Sequence, residues 1–123
     1  MHKKFNLIKT IGYALEGLFV FVKKEHNVKL HILASIIAIL VSLLLKISIL
    51  EWALVIFCIA FVFAMEAMNT AIEYLSDFIC KEKHPKIKRV KDISAGAVLI
   101  SALCSIVIAI IIFIPKLIDL FIK

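Results

Sequence analysis

Three observations predict an all-α membrane protein, with three transmembrane helices behind an N-terminal amphipathic surface helix. The 123-residue chain is 63% hydrophobic, with mean hydropathy +1.08, whereas a soluble domain is about half apolar. Its apolar residues fall in three proline-free runs, each approaching or reaching the length that crosses a bilayer. With only Gly 3 and Pro 2, it lacks the breakers that linkers, repeats and hairpins require. The length suits a single membrane-embedded domain.

The first element is the surface helix, residues 4–25. In "FNLIKTIGYALEGLFVFVKKE", Phe5, Ile8, Ile11, Leu15, Leu18 and Val22 recur at three- and four-residue spacing, while Lys9, Glu16 and Lys23 mark the wetter side. Such a helix lies in the membrane interface, and Lys9, Gly12, Glu16 and Gly17 argue against a fourth span. The first span, residues 28–48, contains "LHILASIIAILVSLLL" and reaches full length with Lys29 snorkelling. The second, residues 52–72, opens at Trp52, an aromatic suited to the interface. The third, residues 93–114, is expected to close at Pro115. The first strongly apolar run begins only near Leu30, after a mixed segment, and no small-residue cleavage site follows it, so the spans are expected to belong to the mature protein.

The net charge of +6 resides in basic residues beside the spans, which fits an anionic lipid surface better than nucleic acid. Lys3, Lys4, Lys9, Lys23, Lys24 and Lys29 precede the first span; Lys81, Lys83, Lys86, Lys88, Arg89 and Lys91 separate the second and third. Only Lys46, Lys116 and Lys123 occupy the other side, so the N-terminus and the 78–92 loop are expected in the cytoplasm of a multi-pass plasma-membrane protein. Cys58, Cys80 and Cys104 have no metal-ligating spacing, and read as packing residues.

The second span carries the chemistry. Only the run 52–65 precedes Glu66, about 21 Å of helix, so a crossing helix must hold Glu66 at the membrane boundary. In "AMEAMNTAIEYLSD" (64–77), taking Glu66 as zero, Asn69 falls at about −60°, Thr70 at about +40°, Glu73 at about −20° and Asp77 at about +20°. One face thus carries three carboxylates and an amide over about 16 Å. Boundary carboxylates usually face a bundle interior or aqueous site, and stacked ones invite a divalent cation. In "HPKIKRVKD" (84–92), Lys91 and Asp92 are expected in the first turn of the third span, where a helix N-terminus favours anions. "GYALEG" (12–17) has P-loop glycine spacing, but Leu18 stands where lysine is required. Nucleotide binding would therefore use side chains on helices.

"EAMNTAIEYLSD" and "HPKIKRVKDISAGAVLISA" resemble the signatures of the bacterial diacylglycerol kinase family, small integral-membrane lipid kinases. With the N-terminal "GY…EG…KE", the resemblance covers essentially the whole chain, and the His-Pro and A-G-A-V-L stretches look closer to the Gram-positive undecaprenol kinase branch. It implies a homotrimer whose shared active sites transfer the γ-phosphoryl group of ATP, with Mg²⁺, to a lipid hydroxyl. The acceptor it implies is undecaprenol, with diacylglycerol the alternative. The resemblance makes Glu66 the general base at the acceptor, with Asn69 orienting it or its substrate. It gives Glu25 and Glu73 to the metal and the nucleotide, Lys91 and Asp92 to nucleotide contact, and places Tyr13 and His84 near the nucleotide. Asn6 and Lys29 stand where relatives often carry arginine; lysine keeps the charge but not the bidentate geometry.

Apart from the resemblance, Glu25 reads as an ion-pair residue beside Lys23 and Lys24, His84 as a loop residue and Tyr13 as an interface anchor. His31, inside the first span, is expected to be boundary-facing or hydrogen-bonded and receives no functional role. Ser94, Ala95, Gly96, Ala97, Ser101, Ala102 and Ser105 form a small-residue surface suited to close helix packing. A small transporter or channel subunit, and a non-catalytic assembly protein, are the competing classes. The transporter would want a carboxylate deep in a span, whereas Glu66 lies at a span's end.

Overall fold

The computed structural model describes residues 6–122, which form four helices: α1 (Leu7–Lys24), α2 (His26–Leu44), α3 (Ile49–Ile79) and α4 (Pro85–Ile122). The last three are long and apolar enough to cross a membrane. Of the surface helix expected over 4–25, residues 4 and 5, including Phe5 of its apolar face, lie outside the described residues.

Each boundary has a local cause. Asn6 caps α1, its side-chain oxygen accepting the Lys9 backbone N–H at 3.3 Å. Asn6, where the resemblance leads to the expectation of an arginine, thus serves as a helix N-cap. Glu25 is a single extended residue between α1 and α2, with its N–H on the Phe21 carbonyl. At the end of α2, Lys46 takes a left-handed conformation (φ 51°). The Ile47 N–H returns to the Ser42 carbonyl and that of Lys46 to Leu43, the hydrogen-bond pattern of a Schellman closure. Ser48 and Glu51 then start α3 with a reciprocal capping box.

Pro115 does not close the last helix. α4 continues through it to Ile122, and Lys116 in the next position pairs with Glu51 of the α3 cap at 3.1 Å. A membrane helix tolerates an internal proline where neighbouring groups hold the flanking chain, as this ion pair does. At its other end α4 begins at Pro85, well before the apolar run 93–114. Lys91 and Asp92 therefore lie in its second and third turns rather than the first, removing the expected helix-terminus contribution to anion binding. A proline at the first helical position, whose missing N–H has no intrahelical partner to lose, sets the earlier start.

α3 and α4 form the principal packed pair; α2 lies against α3, and α1 makes smaller contacts with α2 and α3. Ile47, Val55 and Ile112 form a buried cluster near the α2–α3 turn, with Trp52, Ile108 and Phe113 around it. Elsewhere, burial falls largely on small hydroxyl residues: Ser42, Thr70, Ser76, Ser94 and Ser101. The Ser42 and Ser101 hydroxyls donate to the Ala38 and Val98 carbonyls of their own helices, so close packing leaves neither unpaired. Large apolar side chains such as Leu40, Phe57, Leu99 and Ile100 point outward, as a hydrocarbon solvent permits. On α1, Ile8, Ile11, Leu15 and Leu18 are exposed and Phe21 is buried.

Candidate active site

α3 passes without interruption from its apolar run into the polar stretch, placing Glu66, Asn69, Thr70 and Glu73 on adjacent turns. Glu66 is 8% exposed and Thr70 is buried with it; Asn69 and Glu73 are half-buried, and Asp77 is exposed. Burial thus falls away along the face as it leaves the apolar segment. The Asn69 amide donates to Glu73 Oε1 at 3.3 Å, while its own Oδ1 is buried with no hydrogen-bond partner.

Glu66 is not an isolated buried charge. His31 Nε2 lies 2.7 Å from its Oε1, joining the start of α2 to the middle of α3. Sequence reasoning missed this partner. The signal was an imidazole in an otherwise apolar run, together with the antiparallel order that sets the start of one span level with the end of the next. His31 also lines an apolar cavity of about 330 Å³ between α2, α3 and α4, with Ala34, Ala38, Val62, Phe63 and Ala102 among its walls.

Beyond the apolar segment, Lys91 Nζ donates to Asp77 Oδ1 at 2.5 Å, tying α4 to α3 across their connection. Lys91 precedes the apolar run of α4. Its ammonium pKa is raised, first by this hydrogen bond and further by the charges of Asp77 and Glu73. Asp92 pairs instead with Lys88, one turn back along α4. His84, Lys91 and Asp92 line one depression of about 570 Å³ at the α3–α4 connection. His84 Nδ1 accepts the Lys86 N–H and its carbonyl that of Lys88, so this histidine also serves as the α4 cap. Tyr13, on exposed α1, and Glu25, at the α1–α2 junction, do not line that depression.

No group of three or more His, Cys, Asp or Glu side chains suited to a metal occurs among the described residues. The orphaned Asn69 Oδ1 beside the Glu73 carboxylate nevertheless supplies neighbouring hard oxygen acceptors. That set fits Mg²⁺, which takes one or two carboxylates and completes its shell with water and substrate phosphates.

Residues 12–113 match the prokaryotic diacylglycerol kinase family. The chain belongs to that family. Similar proteins include the undecaprenol kinase of Bacillus subtilis (strain 168), 36% identical over 89% of each chain. The diacylglycerol kinase of Helicobacter pylori is 34% identical over 76% of this chain and 73% of its own. That of Escherichia coli K12 is 29% identical over 82% of this chain and 83% of its own. The chain is accordingly a lipid kinase, and a kinase draws its phosphoryl group from ATP.

Proposed function

We propose that this chain transfers the γ-phosphoryl group of ATP to the hydroxyl of a membrane lipid alcohol, most effectively undecaprenol, giving undecaprenyl phosphate. The observation carrying this reading is a carboxylate, Glu66, buried beside an apolar cavity on the same helix face as Asn69 and Glu73. A hydroxyl attached to a buried hydrocarbon chain reaches that depth, whereas a soluble substrate does not. The undecaprenol assignment is supported by the likeness to the Bacillus subtilis enzyme across most of both chains.

In this reading Glu66 is the general base. One carboxylate oxygen accepts the acceptor's O–H proton as the acceptor oxygen attacks the γ-phosphorus and the bond to the departing ADP oxygen breaks. Asn69 orients the base or the acceptor. Glu73, about 10 Å further along the helix, holds the metal and nucleotide with Glu25; bound Mg²⁺ supplies neutralisation of phosphate charge. Lys91 donates to phosphate, exchanging Asp77 for it, while Asp92, His84 and Tyr13 complete the nucleotide contacts. Phosphoryl transfer depends chiefly on positioning and charge stabilisation, so this small set of side chains is sufficient in kind.

The remaining nucleotide ligands, Tyr13 and Glu25, come from elements that do not line the Lys91 depression, consistent with sites completed between subunits of a homotrimer. The exposed apolar row of α1 suits a helix lying on the cytoplasmic leaflet. The distribution of basic residues favours a cytoplasmic N-terminus and 78–92 loop.

The direct test is a side-by-side assay of purified protein with ATP and Mg²⁺ against undecaprenol or diacylglycerol in mixed micelles. A higher kcat/KM for undecaprenol is expected. A preference for diacylglycerol reassigns the acceptor, and no transfer to either lipid rejects the reading.

A further inference from the structure

His31 has no part in the reaction as outlined, yet its imidazole directly contacts the carboxylate at the centre of it. We infer that His31 is a positioning residue: its Nε2–H holds Glu66 Oε1, leaving Oε2 to meet the acceptor hydroxyl. The inference rests on Glu66 acting as the base.

The chemistry fixes the direction of the bond. A carboxylate ready to take a proton is ionised and has only lone pairs to offer. The hydrogen in the 2.7 Å contact therefore belongs to Nε2, and the bond is charge-assisted. Glu66 has no other side-chain hydrogen-bond partner among the described residues. Without His31, no side-chain hydrogen bond among the described residues fixes the rotation of its carboxylate. The imidazole is itself constrained. Its ring meets Phe63 edge-on, with centroids 6.2 Å apart and planes at 66°.

Position makes the contact more than a neutralisation of buried charge. His31 lines the apolar cavity, and Glu66 does not. The imidazole thus stands between the space an apolar chain can occupy and the carboxylate that must face that chain's hydroxyl. A donor at this point sets which carboxylate oxygen is available and in what orientation. Orientation of reacting groups acts on the chemical step, so its loss should lower kcat more than it raises KM for ATP.

The test compares His31→Leu and His31→Met, which remove the donor and keep an apolar side chain of similar bulk, with His31→Gln, which restores an N–H donor. Glu66→Gln is run in parallel. For each, kcat and KM for ATP and for undecaprenol are measured in detergent together with the melting temperature. The donor-free variants should lose about 10- to 100-fold in kcat, with KM for ATP within about twofold. His31→Gln should recover most of that loss at a similar melting temperature. Full kcat in either donor-free variant overturns the inference. So does a His31→Gln enzyme as impaired as His31→Leu, or a loss that follows melting temperature rather than the donor. An inactive Glu66→Gln beside a fully active His31→Leu removes this inference alone. An active Glu66→Gln removes the assignment of the base itself.

Discussion

At Asn69 the requirements of stability and of activity diverge. Its buried Oδ1 has no partner, and an unsatisfied buried carbonyl costs free energy rather than contributing it. Asn69→Ala is therefore expected to leave the melting temperature unchanged or slightly higher, while lowering kcat/KM by about 10- to 100-fold, the scale of a lost charge-assisted contact in the reacting complex. Thermal melts beside steady-state kinetics check both signs. Lys91 and Asp77 provide the complementary case. Their pair is substantially exposed, so it contributes little to stability. Lys91→Met should melt within a few degrees of the wild type yet raise KM for ATP at least about tenfold. Asp77→Asn should be much milder, because it removes only the resting partner of the lysine. Equal losses in the two variants would make the pair structural.

Among the elements, the α2–α3 turn is the place where local geometry and residue type disagree. Lys46 occupies the left-handed position of the helix closure, which glycine takes without a Cβ penalty of about 1 kcal/mol. Lys46→Gly should raise the melting temperature, and Ser48→Ala, which removes the α3 cap, should lower stability by about 1 kcal/mol; thermal denaturation in detergent measures both. The element types were legible from apolar periodicity and run length, and so was the polar face of α3, because both depend on residue spacing within one segment. The ends of α4 were not. Pro115 reads as a stop until Lys116 is seen against Glu51, a contact between residues 65 positions apart in the chain. The partners of Glu66 and Lys91 were hidden for the same reason: His31 is 35 residues away, and Asp77 14 residues away across a turn. Helical phase shows which residues share a face, but not which side chain another helix brings to it. Phase places Asp77 on the face of Glu66 and Glu73, but only α4 shows that its partner is Lys91.

For the whole molecule, the arrangement is a gradient along the α3 face, from a buried carboxylate beside an apolar cavity to exposed ion pairs near the α3–α4 connection. A lipid alcohol and a nucleotide can approach it from opposite media, which a soluble kinase does not need to arrange. The small buried core and many outward apolar residues leave most surface to lipid and, in the proposed trimer, to neighbouring copies. Sites completed between copies predict complementation: mixing Glu66→Gln and Glu25→Gln chains before assembly should restore activity above either variant alone, up to roughly a quarter of the wild-type level if two chains contribute to each site. Chelation of divalent cations with EDTA should abolish turnover, and added Mg²⁺ should restore it. In the proposed reaction Glu66 takes the proton of the lipid hydroxyl. The most direct measurement is the rate of label transfer from γ-labelled ATP to undecaprenol by Glu66→Gln, alongside its oligomeric size and its affinity for ATP. A fall of about 100- to 10,000-fold, the range for a lost general base, with unchanged size and affinity is expected; transfer near the wild-type rate would contradict the account.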